Sequence, residues 1–187
     1  MRPLPLIPFA CAAMLAATAC CAQAAPDAQF VPAFQSFLRA SEGQDAALAS
    51  ALAGFETLSR AEPASPVLLA YRGAATAMQA RSTYLPWRKM AYAEDGLALL
   101  DKALAMLQPA HDAPGQQQVP AVLDVKLVAA NTFLALPAMM NRRDRGVKLL
   151  GEVARSPLLP SAPPAFQETV RKALDKARLT PDGRPRT

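Results

Sequence analysis

The chain has a single histidine, His111, and three cysteines, Cys11, Cys20 and Cys21, with none beyond residue 21. Aromatic residues make up only 6% of it, and no segment alternates apolar and polar residues over a convincing strand length. Each scarcity removes a class of function. One histidine cannot form a histidine pair on a metal, and no HExxH, CxxC or EF-hand spacing is present. The cysteines all fall in an apolar leader. With the leader removed, no thiol remains for catalysis, metal ligation or disulfide cross-links. GxGxxG turns and phosphate-binding loops are missing as well. Glu94 and Asp95 are adjacent, so on a helix they diverge by about 100° and cannot share one substrate. Asp124 and Asn131 share a helix face at i and i+7, but two residues make no site. No metal, no cofactor and no catalytic residue is assigned, and the chain is read as a non-enzyme.

What is present is alanine. Hydrophobic residues make up 52% of the chain, much of that alanine, which favours helix over sheet. At 187 residues the chain is long enough for one domain with a substantial core. Residues 1–24 read as a signal peptide, with one arginine, an apolar run and a small-x-small site, Ala22-Gln23-Ala24, placing cleavage before Ala25. The run is short and alanine-rich for a membrane span. Export to a bacterial periplasm, or secretion, follows. A second reading stays open: Ala17-Thr18-Ala19-Cys20 resembles a lipobox, with Ala where Leu is usual, and lipidation of Cys20 would tie the protein to a membrane.

Charge is unevenly spread. Residues 25–140 hold 8 basic and 10 acidic side chains, net −2, whereas residues 141–187 hold 11 basic and 5 acidic, net +6. The basic C-terminal third could meet an anionic surface or remain a solvated face. No nucleic-acid motif is present, so nucleic acid is not expected as a partner.

The apolar periodicity predicts seven helices and an all-α fold. Phe30, Phe34, Phe37 and Leu38 mark the first, with Pro32 tolerable only in its opening turn. Leu48, Ala51, Leu52, Phe55 and Leu58 mark the second, which Pro63 closes. The third has Ser65 as cap and Pro66 at its first position, and its mid-helix Gly73 suggests close approach of a partner helix. The fourth starts at Pro86 or Trp87, carries a stripe of Ala93, Leu97, Leu100, Leu104 and Leu107, and ends by Pro109. His111 to Val119 reads as a polar loop. The fifth helix covers Pro120 to Leu136. The sixth is capped by Asn141 with Asp144 in the capping-box position. Pro157 to Pro164 reads as an extended connector. The seventh helix, Pro164 to Leu179, caps the open end, and residues 180–187 read as a disordered tail. Residues 25–179 thus form one helical-hairpin domain.

The even-numbered helices end on prolines at 63, 109 and 157, spaced 46 and 48 residues apart. Helical pairs at a fixed period argue for a stacked array, since each hairpin buries its apolar face against its neighbours. Ala70-Tyr71-Arg72-Gly73-Ala74 resembles the first helix of a tetratricopeptide repeat, and Asp101-Lys102-Ala103-Leu104 with Pro109 resembles the second. The resemblance spans Ser65 to Pro157. The usual period is about 34 residues, and the excess here falls mostly around Arg81 to Met90. The resemblance implies an α-α superhelix that binds proteins or peptides, here an envelope partner, and does not catalyse.

Two turns share a pattern. Leu85-Pro86-Trp87-Arg88-Lys89 and Leu136-Pro137-Ala138-Met139-Met140-Asn141-Arg142-Arg143 each pair Leu-Pro with two basic residues. If the hairpins stack in register, the turns lie side by side. Tyr84, Trp87, Tyr92, Met139 and Met140 then supply apolar area, and Arg88, Lys89, Arg142 and Arg143 supply donors, the residue types enriched at interfaces. The alternative at that edge is that Trp87 and the methionines plug the array and the basic residues are surface. For the whole chain, a small carrier of a lipid or apolar ligand is the second functional reading. An enzyme built on Tyr71, Asp124 and the arginines is the third.

Overall fold

A computed structural model describes residues 27–178 and Gly183. The expected signal peptide and lipobox, and all of the C-terminal tail except Gly183, lie outside these residues. The described residues form an all-α fold of seven α-helices without a strand: α1 (Asp27–Ser41), α2 (Asp45–Ala61), α3 (Pro66–Met78), α4 (Pro86–Ala105), α5 (Ala121–Ala135), α6 (Arg143–Ala154) and α7 (Pro164–Ala177). They pair in sequence as helical hairpins, α1 with α2, α3 with α4 and α5 with α6. The hairpins join through α3, which also packs on α2, α5 and, less extensively, α1, and α7 closes on α5 and α6.

The sequence explains this layering. α3 and α5 are apolar nearly all round and are buried nearly all round, as an all-apolar helix must be. α3 starts as its residues require, with Pro66 in the first turn and the Ser65 hydroxyl accepting from the Leu68 N–H at 3.4 Å. The even-numbered helices have one buried face and one exposed face. Each crosses its partner at a glycine. Gly54 of α2 lies against Ala33, Gly96 of α4 against Gly73 and Ala77, and Gly146 of α6 against Ala130 and Leu134. The tightest crossing is in the central hairpin, where a β-carbon at Gly96 would lie 2.6 Å from both the Ala77 nitrogen and the Gly73 carbonyl oxygen.

Polar side chains tie neighbouring helices together. Arg72 of α3 reaches Glu56 of α2 at 3.6 Å, and Lys126 of α5 pairs with Glu152 of α6 at 2.8 Å. Arg81, in the 3-10 turn after α3, donates to the Ala40 carbonyl near the end of α1 at 2.7 Å.

Several local expectations are corrected. α1 begins at Asp27, so Pro32 sits beyond the opening turn and withholds the N–H that residue 28 would bond. Asn141 does not cap α6. The Leu136-Pro137 step leads into a 3-10 turn at Ala138–Met140, and Asn141 then takes a left-handed conformation (φ 50°) that reverses the chain. The helix starts two residues later, at Arg143. The stretch from Pro157 to Pro164 is not simply extended, because Leu159–Ser161 forms a 3-10 turn and Ala162 beyond it is buried. The polar loop after α4 folds into two 3-10 turns and buries Gln116. Gly183 lies against Gly151 of α6.

Candidate functional site

The apolar residues left in water are concentrated. Among the described residues the exposed large hydrophobics are Leu38, Tyr84, Leu85, Trp87, Met90 and Met139. All but Leu38 lie on the two turns that share the Leu-Pro pattern or on the first turns of α4. Tyr84 is 97% exposed, Met139 79% and Trp87 68%.

The two turns are not built alike. After Leu85, Pro86 is the first residue of α4, so Arg88 and Lys89 stand within its opening turns. After Leu136, Pro137 leads into the 3-10 turn and the Asn141 reversal, so Arg142 and Arg143 straddle the start of α6. The difference separates the nine expected residues. Met139, Met140 and Arg142 join Met90, Glu94, Leu97, Ala98 and Asp101 in lining one groove of about 490 Å³ between α4 and the 137–142 turn. Tyr84, Trp87, Arg88 and Lys89 lie outside it, on the exposed start of α4. Tyr92 is half-buried and Arg143 is exposed, and neither lines the groove.

Asp101 holds the groove's two walls together. Its carboxylate accepts from Arg142 at 3.3 Å and from Arg145 at 2.5 Å. Both guanidinium groups also stand over the Phe133 ring, at 5.9 and 5.2 Å from its centroid. Arg142 is therefore not the free donor that its place beside Arg143 suggests. This cluster bridges α4 to the start of α6 and sets the methionines opposite Met90 and Glu94. Asp101→Ala should lower stability by less than about 1 kcal/mol, because these ions are about one-third exposed. Thermal melts should show that loss shrinking in 1 M salt, as screening weakens the pairs in the parent protein.

Spacing along α4 is the signal that could have found the groove's other wall. Met90, Glu94, Leu97, Ala98 and Asp101 recur at helical intervals from Trp87, beside the core stripe. The sequence does not mark them as one wall of a groove, because the opposite wall comes from a turn roughly forty residues away.

A second cluster is closed to solvent. The Tyr71 hydroxyl donates to Asp124 Oδ1 at 2.8 Å, joining α3 to α5. Burial pushes the Asp124 carboxyl up from 3.8 to about 6, against the opposing pull of the Tyr71 hydrogen bond. Burial first, then the nearby Asp124 charge, drives the Tyr71 phenol well above 10. The Tyr71 ring stacks on Phe55 and meets Phe30, Phe34 and Phe37 edge-on, each at 5.0–5.6 Å between centroids. Asp124 is 6% exposed, whereas Asn131, one face-repeat further along α5, is exposed. Arg72, Arg142 and Arg145 do not join this pair, because Arg142 and Arg145 face Asp101 and Arg72 faces Glu56 and Ser59. The Tyr71–Asp124 pair acts as a buried tie between two hairpins.

At the basic end, Arg171 and Lys172 both pair with Glu168 on the same helix. His111 accepts the Gln108 N–H through Nδ1 at 2.9 Å, which closes the turn after α4. Among the described residues no group of three or more His, Cys, Asp and Glu side chains is placed to hold a metal ion. No family model, curated protein or solved structure matches the chain.

Proposed function

We propose that the chain is an exported, non-catalytic helical-hairpin module of tetratricopeptide-like build, which binds a segment of a protein or peptide partner in the cell envelope. The observation that carries this reading is the groove between α4 and the 137–142 turn. It is open and lined by Met90, Leu97, Ala98, Met139 and Met140, with Glu94, Asp101 and Arg142 as its charged members. Methionine adapts its shape to different apolar partners, and a polar member at each wall fixes register. An open groove suits a segment that continues beyond it at both ends. A carrier of a lipid or other small apolar ligand would instead need to enclose most of that ligand's surface.

Ala98 gives the sharpest test. It lines the groove but is exposed, so a larger side chain there fills the groove without entering the core. Ala98→Trp should keep the parent's melting temperature and lose at least about tenfold in affinity for a partner captured from envelope extract, equivalent to about 1.4 kcal/mol. Equal capture by parent and variant would move the binding surface elsewhere.

A further inference from the structure

The start of α4 is poorly covered. α4 runs for 20 residues against 13 in α3, and although the 3-10 turn Gln79–Arg81 packs on α4, every residue from Leu85 to Ala91 is exposed. A helix start left uncovered in water should be polar. This one places Leu85 and Trp87 beside the almost wholly exposed Tyr84. Arg88 and Lys89 follow directly, both exposed and without an ion pair among the described residues.

We propose that this tip docks on an anionic lipid bilayer, with Tyr84, Leu85 and Trp87 entering the headgroup region while Arg88 and Lys89 contact lipid phosphates. Tryptophan and tyrosine favour that region because one end of each is apolar and the other polar. Long cationic side chains reach headgroups while their stems stay against apolar surface. The two unpaired cations are complementary to an anionic leaflet, each contributing about fivefold to partitioning. Shape separates this contact from the groove. A projecting tip gives a peptide no concavity to lie in, whereas a plane needs only an apolar point with charge around it. No helix among the described residues is long and apolar enough to cross a membrane, so the contact proposed is peripheral. None of the five tip residues lines the groove, and the two readings can fail separately.

Trp87 is the chain's only tryptophan, so its emission reports on the tip alone. The full chain is titrated with vesicles of mixed phosphatidylglycerol and phosphatidylcholine, and separately with vesicles of phosphatidylcholine alone. The expected result is a blue shift and loss of acrylamide quenching with the anionic vesicles, both weakening as salt is raised. The Arg88→Ala, Lys89→Ala double variant, with unchanged circular dichroism, should partition about twenty-five-fold less well. Unchanged emission and quenching overturn the proposal, even if the chain sediments with vesicles through another segment. Equal partitioning of parent and double variant overturns it too. A shift produced by an envelope protein but not by vesicles reassigns the tip to a protein contact.

Discussion

Tyr71→Ala should destabilise the protein by roughly 4 kcal/mol, within the range for removing a large buried aromatic side chain. Two losses coincide there. The ring sits among Phe30, Phe34, Phe37 and Phe55, where its removal leaves a cavity shared by α1, α2 and α3. Its hydroxyl supplies the hydrogen bond to the buried Asp124 carboxylate. Tyr71→Phe separates the two by keeping the ring, and should cost about 1–3 kcal/mol, the penalty for a buried acceptor left without its donor.

The pH dependence follows from Asp124. Its carboxyl titrates near 6 when folded, against 3.8 as the ordinary value. The folded state therefore holds this proton more tightly than the unfolded state. Below about pH 4 both states are protonated and the site contributes no penalty. As pH rises from 4 through 6 the carboxyl must ionise in a buried place, and stability falls by an amount on the order of 3 kcal/mol before levelling off. Asp124→Asn retains an acceptor for Tyr71 and has no proton to lose. Relative to the parent, this variant should gain most of that amount between pH 4 and pH 7.5. Urea unfolding at several pH values checks the sign, and a constant difference between the two proteins would mean that Asp124 does not titrate in this window.

The second large effect is expected at the crossing of α3 and α4. Gly96→Ala should destabilise by roughly 2 kcal/mol, although alanine is favoured over glycine within a helix by about 1 kcal/mol. The added methyl would meet backbone atoms, the Ala77 nitrogen and the Gly73 carbonyl oxygen, both at 2.6 Å. Backbone in a packed helix cannot turn aside as a side chain can, so the helices must separate. Gly73→Ala should cost less. Its nearest backbone contact would be 2.9 Å, and its other close neighbours are the Leu99 and Leu100 side chains. A lowered urea midpoint with an unchanged slope, larger for Gly96 than for Gly73, is the expected pattern. A stabilised Gly96→Ala protein would show that this crossing has slack.

These residues also show how far the sequence could be read. The helices were legible because α3 has its cap and proline in place, and because the stripes of α2, α4 and α7 repeat at the helical period. Gly73 was legible as a close-approach position, since a mid-helix glycine needs a tertiary reason. Its counterpart Gly96 was not singled out, because it lies inside an already convincing apolar stripe. Asn141 failed as a cap for a local reason: Pro137 commits the next residues to a 3-10 turn, and the asparagine is then used to reverse the chain. Asp124 carried no signal of burial, because its partner Tyr71 lies 53 residues away on another hairpin. The groove is of the same kind. Met139 and Met140 could be named as apolar residues of a turn, but Met90, Glu94 and Asp101 become part of a site only once two hairpins have been placed side by side.

The central claim is that a partner lies in this groove. Hydrogen exchange of the backbone amides, compared with and without the captured partner, tests it most directly. The expected footprint is added protection of α4 between Met90 and Asp101 and of the 137–142 turn, with α2 and α7 unchanged. Protection confined to α7 or α2, with the groove exchanging as in the free protein, would contradict it.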